Sequence, residues 1–137
     1  MTLARIRARS PVWYTAFIGG FLLLQGTSTL VFRLVPPLDR AFPALLDVTQ
    51  MIPIHSALHI VTGLLAVAVL RSGGARGAWL YAFLFGLFYT SLGVVALLSG
   101  MTLGLGLQPF DHPFHLVAGV PGLIAAWLGY QPRPVTL

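Results

Sequence analysis

Four histidines and one aspartate are the side chains in this 137-residue chain whose types and spacing permit chemistry. His55 and His59 are four residues apart, so a helix would stand them on one face, one turn from each other. His112 and His115 are three apart and directly follow Asp111. At such spacings imidazole can ligate a divalent metal, hold haem or a chlorophyll-type pigment axially from inside a bundle, or titrate near neutral pH. His59 and His115 are the candidate cofactor ligands, and His55, His59, His112, His115 and Asp111 form the wider candidate metal set. A plainer reading competes with these. A histidine on a small-residue helix face can simply hydrogen-bond to a neighbouring helix, worth about 0.6–2 kcal/mol, with Gln25, Ser28, Thr90 or Ser91 as partners. His112, between Asp111 and Pro113, reads as part of a helix cap. Enzymatic signatures are missing: the His-x-x-x-His pair lacks a metalloprotease glutamate, and there is no glycine-rich phosphate loop, Ser-His-acid set or carboxylate pair within an apolar segment. With no cysteine, thiolate ligands and thiol nucleophiles are excluded.

The elements that must carry these residues are apolar. Hydropathy outlines four stretches, 11–35, 52–70, 78–99 and 113–130, each near the roughly 20 residues that cross a hydrocarbon core. None shows the polar face of a soluble core helix, and all are too long and too irregular in alternation for strands. A chain that is 57% hydrophobic and 8% charged cannot cover itself with polar surface in water. The expected fold is therefore all-α: an integral membrane four-helix bundle, one transmembrane domain over 1–137, in contact with the lipid bilayer. The net charge of +5 is carried by arginines that stand singly or in one short N-terminal run, without the aromatic-interleaved patch that nucleic acid binding requires. They read as a topology signal. Arg5, Arg7, Arg9, Arg71, Arg76 and Arg133 fall on one side and Arg33 and Arg40 on the other, which puts both termini in the cytoplasm. Trp13, Tyr14, Trp79, Tyr81, Trp127 and Tyr130 fall at the same ends of the spans, where amphipathic rings suit headgroups, while Asp39, Asp47 and Asp111 fall opposite. The apolar run after the N-terminal arginines exceeds a signal h-region and has no small-residue cleavage site, so it reads as an uncleaved anchor.

Two pairs of strings hint at a repeat: His59-Ile-Val-Thr-Gly63 with His115-Leu-Val-Ala-Gly119, and Phe17-Ile-Gly-Gly20 with Phe83-Leu-Phe-Gly86. A duplicated helical hairpin would explain both, its copies related by an axis along the membrane normal. Chance would also explain them, since Gly, Val and Leu are common in membrane helices. Small residues recur at helical spacing as His55, His59, Gly63, Ala66 on the second span, Gly86, Thr90, Gly93 on the third and His115, Gly119, Gly122, Ala126 on the fourth, and these faces are expected to point inward. Pro121 should kink the fourth span. A short amphipathic helix is expected over 44–51 in the first outer loop, and 100–111 reads as the second. Gln25, Thr27, Ser28 and Thr29 put polar groups in the first span, which a permeation path would need and which back-bonding to the helix would equally explain. Counted inward from Arg71 and Gln131, His59 lies roughly 18 Å and His115 roughly 24 Å from the inner boundary, an offset of one turn that disfavours a haem shared between them.

The string 106–119 containing Pro109, Asp111, His115 and Gly119, together with 55–63 containing His55, His59 and Gly63, resembles an uncharacterised bacterial family of small four-helix membrane proteins, a domain of unknown function. The resemblance covers most of the chain from the second span onward. It implies a multi-pass protein of the bacterial cytoplasmic (inner) membrane and draws attention to His59, Asp111 and His115, but implies no reaction or ligand; His112, Pro113 and Pro121 depart from the family pattern. The leading functional expectation is a non-enzymatic accessory or scaffold subunit, packing against a larger membrane complex or as a homo-oligomer. The alternative is a membrane protein binding haem, pigment or metal through its outer-leaflet histidines, and a small transporter is third.

Overall fold

Proline and glycine set the helix ends. Pro53 opens one helix at a position where its missing N–H is not needed, and Gly100 closes another in the left-handed conformation (φ 64°), its N–H bonded to Ala96 O at 2.8 Å. The computed structural model describes residues 2–100 and 104–130. Its helices are α1 (Leu3–Leu34), α2 (Pro36–Ala41), α3 (Ala44–Thr49), α4 (Pro53–Ala68), α5 (Gly74–Ser99) and α6 (Asp111–Gly129), and a π-helical segment, Val69–Gly73, joins α4 to α5. Among the described residues all regular structure is helical, as expected. Gln131 and Arg133, used above for depth and topology, lie outside the described residues, as do 101–103 of the second loop.

Two helical stretches, Arg5–Leu34 and Pro53–Ser99, are long and apolar enough to cross a membrane. The second is folded back on itself. Gly74 (φ 58°, ψ −161°) takes a backbone conformation that a side chain would oppose, and beyond it Tyr81 Oη donates to Thr62 O at 3.1 Å, so α5 turns back rather than continuing the line of α4. The expected spans lie within or close to α1, α4 with the π segment, α5 and α6. α1 starts earlier than expected because the helix continues through Pro11, which makes Arg5, Arg7 and Arg9 helical. α6 likewise continues through Pro121. The amphipathic helix expected over 44–51 is α3, ending at Thr49, with the additional short α2 before it.

α1 packs closely on α4 and α5 on α6, and the two pairs make the same contacts. A Cβ on Gly63 would lie 2.9 Å from Gly19 O, and one on Gly119 would lie 3.0 Å from Gly86 O. A Cβ on Gly26 would meet Ser56 O at 2.6 Å, and one on Gly93 would meet His112 O at 2.9 Å. Contacts between the pairs also correspond: Tyr14 Oη donates to Ala118 O at 2.7 Å, as Tyr81 Oη does to Thr62 O. Exchanging α1 with α5 and α4 with α6 thus maps each of these contacts onto another, which is an approximate twofold relation between hairpins. The register corrects one expectation. Gly19, not Gly20, is the counterpart of Gly86; Gly20 is exposed with nothing near its missing Cβ. Symmetry fails where α4 and α5 diverge, leaving an apolar groove of about 380 Å³ lined by Leu65, Leu80, Leu84 and Phe88, with Tyr81 and Phe85 at its floor.

The interior is small, aromatic and polar, while large aliphatic residues lie outside. Thr15, Thr29, Ser56, Ala66, Ala82 and the glycines at the helix seams (Gly19, Gly26, Gly63, Gly86, Gly93 and Gly119) are buried beside Ile18, Leu22, Phe85 and Tyr89, whereas Phe17, Leu24, Val61, Leu98 and Val117 are exposed. The expected inward stripes on α4, α5 and α6 are the ones buried, with Thr90 partly so. The aromatic girdle divides. Trp13, Trp127 and Tyr130 are exposed, but Tyr81 is buried, and Tyr14 and Trp79 spend their donors on Ala118 O and Ala126 O, because a hydroxyl or indole N–H within reach of a helix carbonyl is better used there.

Candidate metal centre

His55, His59 and His115 meet between α4 and α6. One nitrogen from each lies within 4.8 Å of the others, and the residues are 3%, 1% and 1% exposed. The helical turn that separates His55 from His59 brings their rings to 4.7 Å at 81°, and His55 reaches across to His115 at 6.0 Å between ring centres. Tyr89 of α5 presents its ring edge-on to His115 (4.9 Å, 87°) and lies 6.4 Å from His59, while Phe85 stacks behind it at 4.0 Å. The cluster is held by the close helix approaches beneath it. Gly26 lets α1 pass against Ser56 and His59, Ser56 Oγ and Thr29 Oγ1 share a hydrogen bond of 2.8 Å, and Gly93 lets α5 pass against His112 O.

The expectation that hydroxyls or an amide on neighbouring helices satisfy these imidazoles is not met. His55 Nδ1, both nitrogens of His59 and His115 Nδ1 are buried without a hydrogen-bond partner, and so are two of the expected partners' own atoms, Thr90 Oγ1 and Gln25 Oε1. Thr29 instead bonds back to Gln25 O (2.9 Å) and Gly26 O (3.2 Å) as well as to Ser56. Each unsatisfied buried nitrogen costs about 1–3 kcal/mol, and one metal ion is a group that can pair with several imidazole nitrogens at once. Zinc–imidazole bonds of about 2.0–2.1 Å put ligating nitrogens about 3.4 Å apart in a tetrahedron, inside the 4.8 Å that spans the three here.

Among the histidines, His115 makes its ring contact with His55, and the twofold relation pairs Arg71 with Trp127, near the end of α6 where Gly129 lies against the Pro11 ring. The wider metal set divides. Asp111 and His112 stand outside the trio. Asp111 is 4% exposed and its Oδ2 accepts the Gln108 N–H at 2.8 Å, which closes the turn before α6; no side chain among the described residues caps the helix itself, His112 included. His112 Nε2 is buried without a partner, whereas its counterpart Ser56 bonds to Thr29; the residue matching Thr29 on α5 is Ala96, which has no hydroxyl to offer. Tyr89 and Gly26 escaped the sequence reading. Tyr89 carried a signal, standing three residues after Gly86 and four before Gly93 on the same face, but aromatic residues are too common in such segments to single it out. Comparison of the chain with protein-family models, curated proteins and solved structures gives no match.

Proposed function

We propose that this chain is a membrane-embedded four-helix protein, internally duplicated, that binds a divalent first-row transition metal at its centre through His55, His59 and His115. The carrying observation is the buried trio itself: three imidazoles whose ligand atoms lie within 4.8 Å of one another, with unpartnered nitrogens on each. The large apolar residues outside and small and polar residues inside support a lipid surround, since in hydrocarbon the helices gain from close packing and internal hydrogen bonds rather than from burying leucine. The arginine asymmetry supports four crossings with both termini and the 71–76 turn cytoplasmic, in the inner membrane of a bacterium; on that topology the metal lies in the outer half.

A single ion suits the trio better than a tetrapyrrole, because haem or chlorophyll between two of these rings needs a slot along its whole face, and Tyr89, Gly26 and Ser56 pack against the cluster where such a slot would run. A scaffold role, against a larger complex or a second copy, uses the same fold and the same exposed apolar faces but leaves the imidazole nitrogens without a purpose. The test is metal analysis of the detergent-solubilised protein after loading with Zn²⁺, Co²⁺, Ni²⁺ or Cu²⁺ and desalting. About one ion per chain is expected, lost in His59→Ala. A folded protein that retains none of the four ions would overturn the reading.

A further inference from the structure

The twofold relation pairs His59 with His115, and one turn nearer the outer ends of α4 and α6 it pairs His55 with Asp111. We infer that Asp111 is the fourth ligand, closing a His₃Asp site for a zinc-type divalent ion made of two matching i, i+4 pairs, His55/His59 and Asp111/His115. This rests on the metal reading above and sharpens it to a ligand set and charge.

Three observations carry the assignment. Asp111 is buried as deeply as the histidines, at 4% exposure against 3% for His55, while the other acids lie on the short outer helices, Asp47 exposed and Asp39 half-buried. Its single hydrogen bond, from Gln108 N, engages Oδ2 and leaves Oδ1 for another partner. It shares a face with His115 one turn away, where Cβ atoms are about 5–6 Å apart, a spacing at which two side chains of one helix can hold the same ion. Charge gives the reason for an acid here. Three neutral imidazoles leave a divalent ion with its whole charge in an apolar interior, which is costly; a carboxylate ligand halves it. His112 is not needed for this, because its counterpart Ser56 is an interhelical hydrogen-bonding residue rather than a ligand position.

The ligand set N₃O, without thiolate, suits zinc, and cobalt serves as its visible probe because four-coordinate Co²⁺ absorbs strongly in the visible while octahedral Co²⁺ hardly does. Co²⁺ and Zn²⁺ are titrated into the full-length protein in detergent, in parent, Asp111→Asn, Asp111→His and His59→Ala forms, with circular dichroism as the check on folding. Asp111→Asn should weaken binding by at least about 10-fold, the lower edge of what even an indirect partner of a ligand contributes, and change the Co²⁺ spectrum. Asp111→His makes the two pairs identical and should rescue the four-coordinate Co²⁺ spectrum, with an affinity above that of Asp111→Asn and below the parent's because the carboxylate charge is lost. An Asp111→Asn protein with parental affinity and spectrum overturns the fourth ligand and leaves the trio standing. Loss in Asp111→Asn without rescue by Asp111→His also overturns it and assigns Asp111 to holding the Gln108 turn. Absence of binding in the folded parent overturns the trio as well.

Discussion

Adding one methyl group at Gly119 should separate α5 from α6, and the size of the effect can be worked out from the contact. A Cβ there would stand 2.5 Å from Thr90 N, 2.6 Å from Thr90 Oγ1 and 3.0 Å from Gly86 O. Two of these neighbours are backbone atoms of another helix and cannot rotate away, so restoring ordinary contact requires the seam to open by roughly 1 Å, and overpacking of that kind costs about 1–3 kcal/mol. The same substitution at exposed Gly20 meets nothing and should gain up to about 1 kcal/mol from helix propensity. Gly119→Ala and Gly20→Ala should therefore differ by about 1–4 kcal/mol, the sum of the two ranges. Reversible unfolding in mixed detergent micelles, followed by circular dichroism, measures that difference. Gly19→Ala adds a register test, since its Cβ would collide with that of Ala66 and should behave like Gly119→Ala. If Gly119→Ala and Gly20→Ala were equally stable, or if Gly20→Ala were the damaging one, the close approach and the twofold register would both be wrong.

Tyr14→Phe and Tyr81→Phe remove corresponding hydrogen bonds and should each cost about 0.6–1.7 kcal/mol in the same unfolding assay, with a clear inequality in which only one matters arguing against the repeat. Acidification should release the bound ion, because protons compete with metal for imidazole and carboxylate, and stability in the presence of Zn²⁺ should fall with pH more steeply than in a chelator; parallel curves would separate the trio from metal. In a chain without cysteine, Ser72→Cys should resist and Asp47→Cys should accept an impermeant thiol reagent applied to intact cells, and the reverse pattern would invert the topology.

Much of the fold was legible because its causes are local. Apolar length, Pro53 at a helix start and the composition of 11–35, 52–70, 78–99 and 113–130 depend only on neighbouring residues, and they located the four long helices to within a turn at most ends. Helical periodicity likewise named the inward faces, since residues three and four apart share a face whatever surrounds them. It brought His55 and His59 together for the same reason. What joins them to His115 is not local. The meeting depends on how far α6 slides along α4, which is set by Gly26 against Ser56, Gly86 against Gly119 and Pro11 against Gly129, contacts between residues distant in the chain. Aligning Phe17-Ile-Gly-Gly20 with Phe83-Leu-Phe-Gly86 puts the repeat one residue off, because a string shows which small residues are present but not which backbone each one admits. Whether a buried imidazole is satisfied is likewise tertiary: Thr90 stood at the right helical spacing to serve, and only the packing of α5 on α6 left its hydroxyl and the histidine nitrogens each without a partner.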